Sequence, residues 1–131
     1  MSTPVPIHTV HAPAAIGPYS QAMAAGGPGR WVFCSGQVAL DPISGQMVEG
    51  DVAAQTRQVM ENLRAVLKAA GGDLENLLKT TIFLKDLSDF TVVNQVYASY
   101  LSSPFPARAT VQVARLPRDA AVEIDGIALI P

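Results

Sequence analysis

Cysteine is nearly absent from this chain. Cys34 stands alone among 131 residues, so no internal disulfide can staple the fold. That usage fits a reducing compartment. Charge is scarce too: Asp, Glu, Lys and Arg make up 15%, against roughly 25% in an ordinary soluble protein. A small protein with so little charge is expected to keep part of its surface dry by oligomerisation. The first Lys or Arg is Arg30 and the rest are scattered, with a net charge of −2 and a pI near 5.5. The basic stripe of a nucleic-acid binder is therefore missing. No apolar run approaches the ~20 residues of a membrane span. The opening Met1-Ser-Thr-Pro-Val-Pro has neither the charged and apolar stretches of a secretory signal nor the arginines of a transit peptide. A cytoplasmic protein is expected, with no nucleic-acid or membrane partner.

What is present suffices for a core. Hydrophobic residues make up 49% and mean hydropathy is +0.25, which excludes a disordered chain. One domain over 1–131 is expected, with no repeat, low-complexity segment or linker.

Two prolines and a glycine make residues 12–19 an ordered loop. Residues 20–25 suit a short strand that ends at the turn Gly26-Gly27-Pro28-Gly29. The run 31–35, Trp-Val-Phe-Cys-Ser, suits a buried strand, and Asp41-Pro-Ile-Ser-Gly45 a turn. Asp51 is placed to cap a helix. Its apolar stripe is Val52, Thr56, Val59, Leu63, Val66 and Ala70, and Gly71-Gly72 stops it. Residues 77–85 read as a strand. Asp89 is then expected to cap a second helix with a stripe of Val93, Val96, Tyr97 and Tyr100, ended by Pro104 and Pro106.

Two alternating strands follow. In 107–114, Ala107, Ala109, Val111 and Val113 face one way and Arg108, Thr110 and Gln112 the other. In 121–130, Val122, Ile124, Ala128 and Ile130 oppose Glu123, Asp125, Ile127 and Leu129. The simplest architecture is α+β, one sheet with both helices on one face. The expected free face carries Arg108, Glu123, Ile127 and Leu129 together, which suits a subunit interface holding a polar site.

Arg108 and Glu123 are the candidate chemical pair, on strands that a short turn around Pro117 could set side by side. An arginine fork grips a carboxylate through two parallel hydrogen bonds, and a glutamate can deprotonate a water or hand on a proton. On spacing alone, a plain cross-strand ion pair is the commoner outcome. Cys34, inside an apolar run, is expected to be a small core residue. His8 and His11 have no Cys or carboxylate cluster beside them and are expected at the surface, so no metal site is anticipated.

The segment Pro106-Ala-Arg108-Ala-Thr-Val-Gln-Val-Ala-Arg-Leu-Pro117, followed by Val122-Glu123-Ile124, resembles the C-terminal signature of the RidA (YjgF) family. Ala14-Ala-Ile-Gly-Pro-Tyr19-Ser, Ser35-Gly36-Gln37 and Lys79-Thr-Thr-Ile-Phe-Leu-Lys-Asp-Leu-Ser-Asp-Phe90, leading into Asn94, agree in the same register. The resemblance implies a chorismate-mutase-like fold and a homotrimer with sites at subunit interfaces. It also implies hydrolytic deamination of 2-aminoacrylate and 2-iminobutyrate to 2-keto acids and ammonia, without metal or organic cofactor. Under it, Arg108 binds the substrate carboxylate and Glu123 activates the attacking water. Main-chain groups around Ala109 and Thr110 face the substrate, and Tyr19, Ser35, Gly36, Phe90 and Asn94 line the pocket.

The sequence departs from many relatives at Thr110, where they carry Cys. It is also shorter than some relatives between Tyr100 and Pro106. Tyr19 has a plainer alternative role, packing its loop. A non-catalytic trimer that binds small carboxylates or a protein partner is the alternative function, since a fold does not dictate an activity. A ribonuclease role is disfavoured by the acidic balance.

Overall fold

The computed structural model describes residues 4–12 and 14–131. Residues 1–3 of the N-terminal reading and residue 13 of the predicted loop lie outside the described residues. Strands β1 (Val5–Ile7) and β2 (Ala22–Ala24) pair antiparallel into a two-stranded sheet. The sequence reading anticipated β2 but not β1, nor any sheet beside the main one. Three residues carry too little periodicity to be seen.

The main sheet is formed by β3 (Arg30–Gln37), β4 (Leu77–Leu84), β5 (Ala107–Gln112) and β6 (Val122–Ile130), in the order β3-β6-β4-β5. β6 runs antiparallel to both β3 and β4, while β5 lies parallel to β4, so the sheet is mixed. Helices α1 (Val52–Ala69) and α2 (Phe90–Ser99) pack against each other and share one core with the sheet. The α+β class and the two helices on one face are as expected.

Asp51 caps α1 by accepting from the Ala54 N–H at 3.0 Å, and Gly71 follows its end in the left-handed region at φ +95°. The buried stripe of α1 is Thr56, Val59, Met60, Leu63 and Leu67. Val66, expected inside, is 38% exposed. A strict alternation of four- and three-residue steps drifts off a 3.6-residue helix, so Met60 and Leu67 hold the centre of the face and Val66 its flank. Cutting Leu63 to Ala would cost about 2–5 kcal/mol. Asp89 makes no side-chain cap on α2. Asp86 does the capping instead, accepting from the Ser88 N–H at 2.9 Å at the start of a 3-10 turn, Leu87–Asp89, that feeds the helix.

Register assigns the faces. Thr80, Ile82 and Leu84 of β4 pair with Gly126, Ile124 and Val122 of β6 and face the helices, and the Thr80 hydroxyl meets the Tyr97 hydroxyl of α2 at 2.7 Å. Thr80 also pairs with Arg108. Arg108 therefore points to the helix side. Glu123 pairs with Phe83 on the opposite side. Two expectations are corrected here. Arg108 and Glu123 lie on opposite faces, and their strands are not neighbours, because β4 runs between them. Alternation divides a strand into two sets without saying which set the helices cover, and β5 is the edge strand, where the helix layer thins enough to admit a charge.

The free face carries Trp31 at 54% exposure, Phe33 at 73% and Val111 at 42%, with Phe83, Ile127, Glu123 and Asp125 around them. Leu129, on the same side, is buried, as is Cys34, the latter as expected of a core residue.

Candidate active site

The residues singled out from sequence form two groups. The first surrounds Arg108 on the helix side. Phe90 opens α2, Asn94 stands one turn on, and Tyr97 nearly a turn further, so i, i+4 and i+7 spacing turns all three toward β5. The loop ending in Tyr19 is clamped beside β5. The Ser20 N–H donates to the Pro106 carbonyl at 3.2 Å, and the Ser20 hydroxyl donates to the Phe105 carbonyl.

The outcome is a cage around a guanidinium. Arg108 Cζ lies 5.3 Å from the Tyr19 ring centroid, 5.6 Å from Phe90 and 5.4 Å from Tyr97, within cation–π range. One arm donates to Asn94 Oδ1 at 2.6 Å. Burial lowers the Arg108 pKa, and the nearby Tyr97 and Tyr19 phenols oppose that shift; the guanidinium remains charged at neutral pH. Burial also raises the Tyr97 pKa, against the Thr80 hydrogen bond and the Arg108 charge.

Arg108 lines a cleft of about 420 Å³ with Ile16, Gly17, Tyr19, Phe90, Asn94 and Thr110. Thr110, two residues along β5 and so on the same face, has a buried hydroxyl with no hydrogen-bond partner among the described residues. Beyond it, Leu87, Ser88, Phe90 and Thr91 line an adjoining hollow that Thr110 shares. Ala109 points to the free face, pairing with Thr81. β5 is an edge strand, so its outer backbone beside Ala109 and Thr110 has no strand partner in the sheet.

The second group is Ser35, Gly36 and Glu123. Ser35 and Gly36 sit in β3 where its pairing with β6 slips between Cys34 and Gln37. A Cβ built on Gly36 would overlap Glu123 Oε2. Glycine thus allows the β3 backbone to lie directly on the carboxylate. The Glu123 carboxylate makes no ion pair or hydrogen bond among the described residues. The plain Arg108–Glu123 ion pair does not form.

Sequence reading missed Tyr97 as a wall of the arginine cage, having given it to the core stripe. Its spacing from Phe90 and Asn94 was the available signal. Ile16 and Gly17 were also missed, although they sit inside the quoted loop motif. His8 and His11 are exposed, and among the described residues no three His, Cys, Asp or Glu side chains group as for a metal. No helix among them is long and apolar enough to cross a membrane.

Fold and clefts define an α+β protein with a four-stranded mixed sheet, two helices on one side and a caged arginine at the sheet edge. The Endoribonuclease L-PSP family model matches residues 9–130, and the chain belongs to that family, the RidA (YjgF) family of the resemblance. It is 55% identical to Protein DfrA of Myxococcus xanthus, covering 94% of this chain and 93% of that one. It is 48% identical to the human protein named 2-iminobutanoate/2-iminopropanoate deaminase, covering 94% and 88% respectively. The crystal structure of RidA from an Antarctic Psychrobacter superposes with a TM-score of 0.75 at 48% identity, covering 95% of this chain and 98% of that one.

Proposed function

We propose that this protein hydrolyses 2-imino acids such as 2-iminobutyrate, and the enamine 2-aminoacrylate after its tautomerisation, to 2-keto acids and ammonia. The observation that carries this reading is the caged Arg108. Its fork is half-buried, held by Asn94 on one arm, and open toward a cleft sized for a small carboxylate.

The substrate carboxylate pairs with Arg108, which fixes the imine carbon beside it. Glu123 takes a proton from water as the water oxygen bonds to that carbon, giving a carbinolamine. That proton passes to the nitrogen, and Glu123 then carries the hydroxyl proton to the same nitrogen as the carbonyl forms, so the C–N bond breaks and ammonia leaves. Imines already react with water, so positioning and proton transfer through one carboxylate suffice.

Arg108 and Glu123 occupy opposite faces of one sheet, so one chain cannot bring both to the same carbon. We assign the complete site to two copies, with Arg108 of one facing Ser35, Gly36 and Glu123 of the next. Two different surface patches meeting head to tail close into a ring, for which the family resemblance implies a trimer. The exposed Trp31, Phe33 and Val111 supply apolar area for that contact.

Release of ammonia and keto acid from freshly generated 2-iminobutyrate and 2-aminoacrylate tests the reading. Wild type should accelerate it, while Arg108→Ala and Glu123→Ala should each lose about 10²–10⁴-fold. Mixing the two inactive variants during assembly should restore about a quarter of the sites, because one interface in four pairs an intact Arg108 with an intact Glu123. Carboxylate binding by wild type without acceleration would replace the enzyme with the binding-module alternative.

A further inference from the structure

A second cleft, of about 470 Å³, shares no lining residue with the Arg108 cleft. It lies where Arg64 of α1, the turn around Asp73 and Glu75, and the segment after Tyr100 meet.

Arg64 is the unusual member. Its guanidinium carbon lies over the Tyr100 ring, 5.3 Å from the centroid. Its carboxylate neighbours stand at ion-pair distance only, Asp73 Oδ1 3.6 Å from Nε and Glu61 Oε2 3.6 Å from Nη1. Both exceed hydrogen-bond reach. Asp73 Oδ1 is already committed, accepting from the Leu74 N–H at 2.7 Å. Arg64 Nε is buried and donates to nothing among the described residues. The Arg64 side chain as a whole is 35% exposed, so its fork is under-bonded rather than free, with carboxylates at ion-pair distance and room on the cleft side for a closer acceptor.

An arginine fork favours a carboxylate. Asp73 and Glu75 line the same cleft, and Glu75 has no ion pair among the described residues. A plain anion would meet their repulsion. A ligand carrying a carboxylate and an ammonium on one carbon would answer Arg64 and Glu75 together. Leu101 and Pro104 supply an apolar wall for an aliphatic side chain, and the volume lies in the range of small-molecule sites. Asp73 is taken up by the Leu74 N–H, Arg64 and Lys68, whose Nζ stands 3.9 Å from Oδ2. We infer that this cleft binds an aliphatic α-amino acid as its zwitterion, with Arg64 on the carboxylate and Glu75 on the ammonium.

Calorimetric titration of the full chain with L-leucine tests this, against L-leucinamide, which lacks the carboxylate, and 4-methylpentanoate, which lacks the ammonium. Leucine should bind saturably at millimolar concentration, and each analogue at least about tenfold more weakly, consistent with loss of one charge-assisted contact. Arg64→Gln and Glu75→Gln should weaken leucine by a similar factor, while Arg108→Ala leaves it unchanged. Glu75 is exposed, so its variant keeps the test valid if Arg64→Gln fails to fold. Absence of leucine binding, equal binding of the analogues, or binding untouched by Glu75→Gln would overturn the proposal. Loss in Arg108→Ala would relocate the ligand to the first cleft and likewise overturn it.

Discussion

The two groups of candidate residues differ in how much the chain itself arranges. Around Arg108, three rings, one amide and a clamped loop hold a guanidinium inside a cleft. Around Glu123 there is a backbone slip, a glycine and a carboxylate without an ion pair among the described residues, beside exposed aromatics. The arginine side is pre-organised within one molecule, so its desolvation is already met by folding. The glutamate side stays open, and under the two-copy assignment it gains its surroundings only when a neighbour arrives. An arginine needs such a cage to hold its direction. A general base works better with freedom to reach water.

The sharpest way to break this contrast is to separate the halves. Phe33→Asp places a charge on the free face without touching either group, and Phe33 is the most exposed aromatic there. Sedimentation should show monomers, and turnover should fall about as far as in Arg108→Ala, by two orders of magnitude or more. An active monomer would overturn the assignment of the site to two copies.

Gly36→Ala disturbs only the open half, since the added methyl overlaps Glu123. We expect kcat to fall roughly tenfold, about 1.4 kcal/mol on the barrier, with KM nearly unchanged because Arg108 still holds the carboxylate. A rise in KM alone would place Gly36 in binding instead.

Tyr97→Phe probes the caged half. The ring stays under Arg108 while the buried Thr80 hydroxyl loses its partner, which should cost about 1–3 kcal/mol of stability by denaturant titration. Activity at a temperature where the variant remains folded should change little. A large activity loss there would give the Tyr97 hydroxyl a direct part.

The smallest effect concerns acid. The Ser88 hydrogen bonds, from side chain and backbone, hold the Asp86 pKa below its ordinary value. A depressed folded pKa makes its contribution fully present above the ordinary value near 4 and lost as pH falls through the folded value. Thermal melts should therefore show a slight loss of stability from about pH 4 downward. Asp86→Ser, a neutral cap, should flatten that part of the curve. Asp86 is fully exposed, and the turn it caps leads to Phe90 and Asn94, so the loosening belongs to the caged half.

Much of the fold was legible because its signals are local. The α1 cap at Asp51, the apolar stripe and the glycine stop each act within one turn, and the alternation of β6 survives intact as buried Val122, Ile124 and Ala128 against Glu123 and Asp125. Less local features were misjudged. Asp89 holds the N-cap position of α2 without making the capping bond, because the 3-10 turn before it runs straight into the helix and Asp86 caps that turn. β1 was too short to announce itself. The site residues were named from the resemblance, while the expectation that Arg108 shares a sheet face with Glu123 fails, because Arg108 lies on the helix side with Tyr19, Phe90 and Asn94.

By itself, the sequence determined which residues alternate, where the two helices begin, and that charge is scarce. These follow from propensities and periodicities over a few neighbouring residues. Only the tertiary structure decided that β4 lies between β5 and β6, and hence that Arg108 and Glu123 stand on opposite faces. Strand order is a matter of which distant segments bury each other best, and a period of two is the same whichever face the helices cover.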